Sequence, residues 1–374
     1  MNISPFKLEA YYERYEFKTR YMLSSSDPES WSLGEILAMA NQQDRLLWEQ
    51  QRFGYTEVRG LPLLRELIAE SFYPELTAEN ILCFAGAEEG IFCSLLTLCT
   101  PQDHVVVLTP CYQSLLEIPT MAGAQVTALP LKEEEQWHIN LEAITAALRP
   151  NTKAVVINFP HNPTGQVITQ EELSALIDLL EKRGIWLFSD EVYRLLGTVQ
   201  SWATPAACLY SRALSLGVMS KIFGMPGLRI GWIASQDKEL LDRITRMKHY
   251  TSLCNSGPAE ILSVIGLRNK DRLLERNNKV VADNLALLDT FFQKHADLFS
   301  WVRPQGGCTG FVHYLEKERV DDLCMRVMKE AEVLLLPGST YDVASNHFRI
   351  GFGRKNMPEA LARFERVVEG RRMQ

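Results

Sequence analysis

Lys221 and Arg229 lie in the run Ser220-Lys221-Ile222-Phe223-Gly224-Met225-Pro226-Gly227-Leu228-Arg229. Together they supply an amine that attacks a carbonyl and a guanidinium that grips an anion with paired hydrogen bonds. The preceding stretch, Ala213-Leu214-Ser215-Leu216-Gly217-Val218, is apolar and suits a buried strand. Such a strand carries Lys221 out of a sheet end into a crevice, where partial loss of water favours the neutral, nucleophilic form of an amine. Gly224-Met225-Pro226-Gly227 lets the chain double back, so that Arg229 aims at the same place as Lys221.

Four further segments deliver reactive or anion-binding groups from strand ends. Ile81-Leu82-Cys83-Phe84 reads as a strand, and Ala85-Gly86-Ala87-Glu88-Glu89-Gly90 as a glycine turn opening a helix, which presents unpaired amides to an anion. His104 to Leu108 is a buried strand that places Tyr112 at a sheet edge. Lys153 to Phe159 leads into Pro160-His161-Asn162-Pro163-Thr164-Gly165, and Ile185 to Phe188 delivers Ser189-Asp190-Glu191-Val192-Tyr193. Asp190 and Glu191 as a metal-binding acidic pair is disfavoured, because neither a phosphate loop nor a histidine stands nearby.

In combination these segments resemble the class I/II aminotransferases, the pyridoxal phosphate (PLP) enzymes of fold type I, from about Phe53 to Phe352. The lysine segment matches S-K-x-x-x-x-P-G-x-R-x-G, the asparagine loop matches N-P-x-N-P-T-G except that Phe159 and Pro160 stand at its start, and Asp190 to Tyr193 matches D-E-x-Y. The resemblance implies that Lys221 holds PLP as an imine and later moves a proton at the substrate α-carbon. It implies that Asp190 keeps the ring nitrogen protonated, that Tyr193 and Asn162 bond the phenolic oxygen, and that Tyr112 stacks on the ring. The phosphate falls to the amides of Gly86, Ala87 and Glu88, with the Glu88 carboxylate pointing away, and to Ser220 and Arg229. Tyr55, in Tyr55-x-x-x-x-Gly60, is expected to reach the partner's phosphate across a homodimer interface. Arg349, in Phe348-Arg349-Ile350-Gly351-Phe352, is expected to bind the substrate α-carboxylate beside Asn162, with Arg354 a less well placed competitor. A cis bond is expected at Asn162-Pro163.

The implied reaction moves an amino group between an α-amino acid and a 2-keto acid, as part of amino acid metabolism or biosynthesis. The same scaffold also serves lyases, either carbon-sulfur β-lyases or enzymes forming cyclic amino acids, and fold and cofactor do not choose between them. Two departures bear on the site. Val218 stands where the family commonly has a second phosphate hydroxyl, and Ser24-Ser25-Ser26-Asp27 replaces an N-terminal glycine-containing loop.

Composition narrows the remaining classes. The chain has 374 residues, 46% hydrophobic and 23% charged, enough for a large core and more than one domain. A net charge of −7 opposes general binding to nucleic acid or anionic membranes. The basic residues Arg243, Arg246, Lys248 and His249 read as a solvated helix face, and Lys132 to Gln136 as a solvated loop. The eight scattered cysteines read as free thiols, and the seven histidines never fall at H-x-x-x-H spacing, so no metal site is visible. Neither a leader nor a membrane span is apparent, and a cytoplasmic location is expected. A PLP-sensing regulator is disfavoured, since little chain precedes the matching region to hold a DNA-binding module.

These elements make an α/β fold: a large domain with a mostly parallel central sheet covered by helices on both faces, and a smaller α+β domain. The expected division is an N-terminal arm over 1–45 that takes no part in a sheet, a PLP-binding domain over 46–256, and an interdomain helix with the small C-terminal domain over 257–374.

Overall fold

The computed structural model describes residues 3–343 and 345–372. Its central feature is a seven-stranded sheet. The strands are β2 (Ile81–Phe84), β3 (His104–Thr109), β4 (Gln125–Pro130), β5 (Thr152–Asn158), β6 (Trp186–Asp190), β7 (Ala213–Val218) and β8 (Gly231–Ala234). Their order is β2-β8-β7-β6-β5-β3-β4, with β8 antiparallel to both neighbours and the other pairs parallel. The run His104-Val105-Val106-Val107-Leu108 shows why the sheet is buried twice over. Successive side chains point to opposite faces, and Val105 and Val107 join one apolar core while Val106 and Leu108 join another.

The register aligns the site. Asn158 pairs with Asp190, and Asp190 with Leu216, so β5 and β6 end level with one another and β7 runs two residues further, to Val218. Their following loops open on one crevice at the C-terminal edge of the sheet, where open α/β sheets bind ligands.

The 25-residue helix Lys270–Lys294 leads to a second sheet of β9 (Phe299–Trp301), β10 (Thr309–Tyr314), β12 (Leu336–Pro337) and β13 (His347–Gly351), in the order β12-β13-β10-β9. The helix Gln170–Glu181 buries Leu173, Leu176, Ile177 and Leu180 on one face, and the helix Val320–Ala331 buries Val320, Leu323, Cys324, Val327 and Ala331.

The N-terminal arm departs from expectation. Tyr21–Met22 forms a strand, β1, paired in parallel with β11 (Val333–Leu334). Two residues are too few to show an alternation, so the pairing partner, not the local pattern, makes this strand. The arm then crosses the end of β13: Gly351 N–H donates to Leu23 O at 2.8 Å, and Glu29 N–H donates to Gly353 O at 2.8 Å. A Cβ at Gly351 or Gly353 would strike the backbone of Ser25, Asp27 or Pro28, so these two glycines permit the close crossing.

Two charged stretches are also less solvated than their composition suggested. Lys248 is fully buried, and its Nζ donates to Val58 O at 2.6 Å and Asn255 Oδ1 at 3.2 Å. Burial of its ammonium lowers its pKa. Glu133, in the short 3-10 turn Glu133–Glu135, accepts from Ser300 Oγ at 2.9 Å and lies 3.2 Å from both His313 Nδ1 and His347 Nε2. His347 is the leading cause holding its carboxyl down at about 2. Spacing alone could not reveal this grouping, because the three residues come from a loop after β4 and from two strands of the other sheet.

Candidate active site

The loops after β5, β6 and β7 meet the N-terminal arm around a cavity of about 490 Å³. That volume lies within the usual range for small-molecule sites. Lys221, three residues beyond the end of β7, lines it, and its Nζ donates to Ser26 Oγ of the arm at 2.9 Å. The same nitrogen lies 5.8 Å from the centre of the Tyr193 ring. The Tyr193 hydroxyl is buried beside the Ser26 hydroxyl but makes no hydrogen bond of normal geometry.

Asp190, the last residue of β6, opens into the same cavity. Its Oδ1 accepts from Val192 N–H at 3.2 Å, and its backbone carbonyl accepts from Asn158 Nδ2 at 3.0 Å. Burial pushes its carboxyl up to about 7, against smaller opposing effects of the Val192 amide and the Lys221 charge. A carboxylate so placed gains from a cation beside it.

Arg349 is 1% exposed and bonded on every side. Its Nη1 donates to Asn162 Oδ1 at 2.9 Å and to the Tyr341 hydroxyl at 2.6 Å, while Nη2 donates to the Tyr12 hydroxyl at 2.6 Å and to Ser24 O at 2.8 Å. Tyr12, Ser24 and Tyr341 therefore position the guanidinium at the cavity wall. Asn162 spends its carbonyl oxygen on Arg349 and Tyr341, which leaves its amide N–H groups to donate elsewhere. The backbone N–H of Asn162 is fixed in turn by Asn158 Oδ1 at 2.9 Å. The Asn162-Pro163 bond is cis, as are Phe159-Pro160 and Thr109-Pro110. Arg354 is committed elsewhere, to Asp27 at 2.8 Å, and so does not compete with Arg349.

At the opposite wall, Gly86 adopts φ +97° ahead of the helix Ala87–Leu98, whose first turn has no side-chain cap. A side chain at Gly86 would run into the Arg229 guanidinium. The uncapped amides and Arg229 thus face one another across the cavity end, where Ser220 also lines the wall. The Glu88 carboxylate is not turned out to solvent: it accepts from Ser114 Oγ at 2.5 Å, its second oxygen is buried without a partner, and burial raises its pKa. Tyr112 lines the cavity with its ring 5.0 Å from that of Phe6 and its hydroxyl donating to Glu9 at 2.8 Å. Tyr55 lies away from this cavity and is 91% exposed.

Residues 23–364 match the family described as aminotransferase class I and II. The chain belongs to that family. It is a PLP-dependent aminotransferase of fold type I, and its overall fold agrees with that of solved members. It is 30% identical over 356 residues to the capreomycidine synthase of Streptomyces vinaceus, covering 94% of this chain and 90% of that one. A solved PLP-dependent aminotransferase from Streptococcus suis is 27% identical and superposes with a TM-score of 0.92, covering 99% and 98% of the two chains. A solved PLP-dependent cyclase, OrfR, is also 27% identical, with a TM-score of 0.91 over 99% and 98%.

The aminotransferase cavity fits PLP on its own geometry. The uncapped helix start with Arg229 and the Gly86 cradle suit a phosphate, the unbonded Tyr193 hydroxyl and spare Asn162 amide suit a phenolic oxygen, and buried Asp190 suits a ring cation. Sequence reasoning missed Tyr12, Asn158 and Tyr341, and named Ser26 only within the run that replaces a glycine-containing loop. Of the three missed, only Asn158 carried a signal, as a polar residue closing the apolar strand Thr152–Asn158.

Proposed function

We propose that this aminotransferase moves the amino group of an α-amino acid to a 2-keto acid within the cavity, with residue roles as follows. PLP, when bound, supplies the electron sink for a carbanion at the substrate α-carbon. Lys221 holds the cofactor and, once released, carries a proton to and from that α-carbon. Asp190 keeps the positive charge on the ring edge, and Tyr193 and Asn162 donate at the phenolic side. Arg349 fixes the α-carboxylate. Gly86, Ala87, Glu88, Ser220 and Arg229 form the phosphate cup, with Tyr112 against the ring. The observation that carries this reading is the convergence of Lys221, Asp190 and Arg349 on one cavity from three separate strands.

The finer features belong to the same reading. The chain divides into an arm over 1–45, a PLP domain over 46–256 and an interdomain helix with the small C-terminal domain over 257–374, an arrangement supported by the separation of the seven-stranded sheet from the four-stranded one and by the pairing of the arm's β1 with β11 of the C-terminal part. It works as a homodimer in the cytoplasm, with Tyr55 lending its hydroxyl to the partner's phosphate. In support, Phe53, Tyr55 and Tyr250 are exposed large side chains that a second copy would cover. Among the described residues no helix is long and apolar enough to cross a membrane. Light scattering should give twice the chain mass, and Tyr55→Phe should weaken PLP affinity about tenfold, the usual cost of one hydrogen bond to a charged group. A monomer of full activity would remove the role of Tyr55.

Purified protein supplied with an amino acid donor and a keto acid should consume the acceptor and release the donor's keto acid in equal amounts. A second reading, ring formation or elimination, draws on the synthase and the cyclase among its relatives. Turnover without any keto acid acceptor, giving ammonia or a cyclic product, would favour it. For Arg349, replacement by lysine keeps the charge and removes the fork. Arg349→Lys should raise KM for the amino donor by about 10- to 100-fold, since a charge-assisted hydrogen bond is worth about 1.5–3 kcal/mol. The bound cofactor's absorbance should stay as it is; an unchanged KM would move the carboxylate site elsewhere.

A further inference from the structure

A second cavity, of about 470 Å³, has Tyr341 in its wall, the residue whose hydroxyl meets Arg349 and Asn162. Its walls also carry Glu133, His313 and His347, which no role assigned so far uses.

The antiparallel pairing of β10 with β13 sets His313 directly opposite His347, so both imidazoles stand on one face of the four-stranded sheet. Their rings stack, with centroids 4.4 Å apart and 19° between the planes. Glu133 reaches them from the turn after β4, and its Oε2 lies 3.2 Å from His313 Nδ1 and 3.2 Å from His347 Nε2. All three atoms lie within 4.8 Å of one another. A tetrahedral metal ion bonded at about 2.0–2.1 Å to each ligand needs neighbouring ligand atoms about 3.3 Å apart. Glu133 stands close to that spacing from both histidines.

Two hydrogen bonds to one carboxylate oxygen would give the same distances, so the surroundings decide. The outer contacts orient the set as metal ligands are oriented: Glu133 Oε1 accepts from Ser300 Oγ at 2.9 Å, and His347 Nδ1 lies 2.8 Å from Ser345 Oγ. Oε2 and Nε2 are thereby turned to the shared point. No fixed cation answers the carboxylate, because its ion-pair partners among the described residues are the two histidines, which are charged only when protonated. Independently, Trp137 lines the same cavity, is 5% exposed, and has its Nε1–H buried with no acceptor among the described residues. Its ring meets that of His347 edge-on at 5.7 Å. A buried donor is costly unless an oxygen meets it, and a solvent or anion oxygen completing a metal's coordination would be such an acceptor.

We infer that Glu133, His313 and His347 bind one divalent transition-metal ion of the zinc class, with the fourth coordination position open to this cavity. Two imidazoles and a carboxylate with one open place form a donor set that suits zinc. The ion would tie the turn after β4, and so the large sheet, to β10 and β13 of the other sheet. Arg349 lies two residues from His347 on the same face of β13. The inference stands apart from the proposed function, since none of the three ligands lines the cofactor cavity.

The test strips the PLP-loaded protein of metal by dialysis against a chelator and titrates it with zinc chloride, reading the heat of binding. The parent should take up one Zn²⁺ per chain. His313→Asn and Glu133→Gln should each weaken uptake by more than about 100-fold, the upper end of what loss of an outer contact alone costs. Both variants should keep the parent's PLP absorbance, which also shows that they fold. Cobalt(II) in place of zinc should give the parent the visible d–d bands of a four-coordinate ion, and the variants none. Glu369→Gln, at the grouping of His295, Glu365 and Glu369 whose charge Lys294 already meets, should bind zinc as the parent does. A parent that takes up no zinc, or uptake that survives both His313→Asn and Glu133→Gln, would overturn the inference while leaving the assignment of the cofactor cavity untouched.

Discussion

Lys221→Ala should leave a folded protein that no longer holds PLP covalently and turns over at least ~10⁴-fold more slowly. Two losses combine in this one change. The alanine removes the group that bonds the cofactor, and it removes the base that moves the proton at the α-carbon, a role worth about 10² to 10⁴ by itself. The folding cost should be small, because Lys221 Nζ has a single side-chain hydrogen bond, to Ser26. The characteristic yellow absorbance should disappear on gel filtration, and added PLP should bind reversibly. Retention of a stoichiometric, non-dialysable chromophore by Lys221→Ala would place the covalent bond on another lysine.

The second large effect is expected at Asp190, and it separates catalysis from stability. In the loaded enzyme, Asp190→Asn removes the anion that holds the ring cationic, so the rate should fall by about 10² to 10³, the scale on which a preorganised electrostatic contact contributes. In the cofactor-free protein the sign reverses. Burial raises the Asp190 pKa from 3.8 to about 7, so between those values the folded chain keeps a proton that the unfolded chain has released. The unfolded state then binds fewer protons, and stability falls as pH rises through that window. Asparagine has no charge to bury and can still accept from Val192 N–H, the bond now made by Asp190. Cofactor-free Asp190→Asn should therefore match the parent near pH 4 and exceed it above pH 7. The expected gain is on the order of 4 kcal/mol at about 1.36 kcal/mol per tenfold change in proton affinity. Denaturant melts at the two pH values measure it; equal stability of parent and variant at pH 8 would contradict the buried, uncompensated state of Asp190.

The parts of the site that were legible in the chain are those that local rules create. A strand of apolar residues must end somewhere, and the polar residues at its end or within a few residues beyond it lie at the sheet edge. Asp190, Lys221 and Asn162 all obey that rule, as does the glycine turn before the helix Ala87–Leu98. The parts that were not legible are contributed by segments far apart in sequence. Tyr12, Ser24 and Ser26 reach Arg349 and Lys221 only because β1 is pinned to β11, and a two-residue strand has no periodicity to read. Tyr341 meets Asn162 across a sequence separation of 179 residues. Lys248 and Glu133 misled in the opposite way. Their neighbours in sequence are charged, but Val58, Asn255, His313 and His347, which surround them, are not neighbours in sequence.

One chemical experiment bears on all of this most directly. Borohydride reduction of the PLP-loaded protein, followed by proteolysis and mass spectrometry, fixes the cofactor to whichever amine holds it. The cofactor's mass should be found at near-stoichiometric yield on the peptide containing Ser220-Lys221-Ile222, and on no other lysine. Recovery of that peptide unmodified, with the label elsewhere or absent, would contradict the assignment of the cavity and every role built on it.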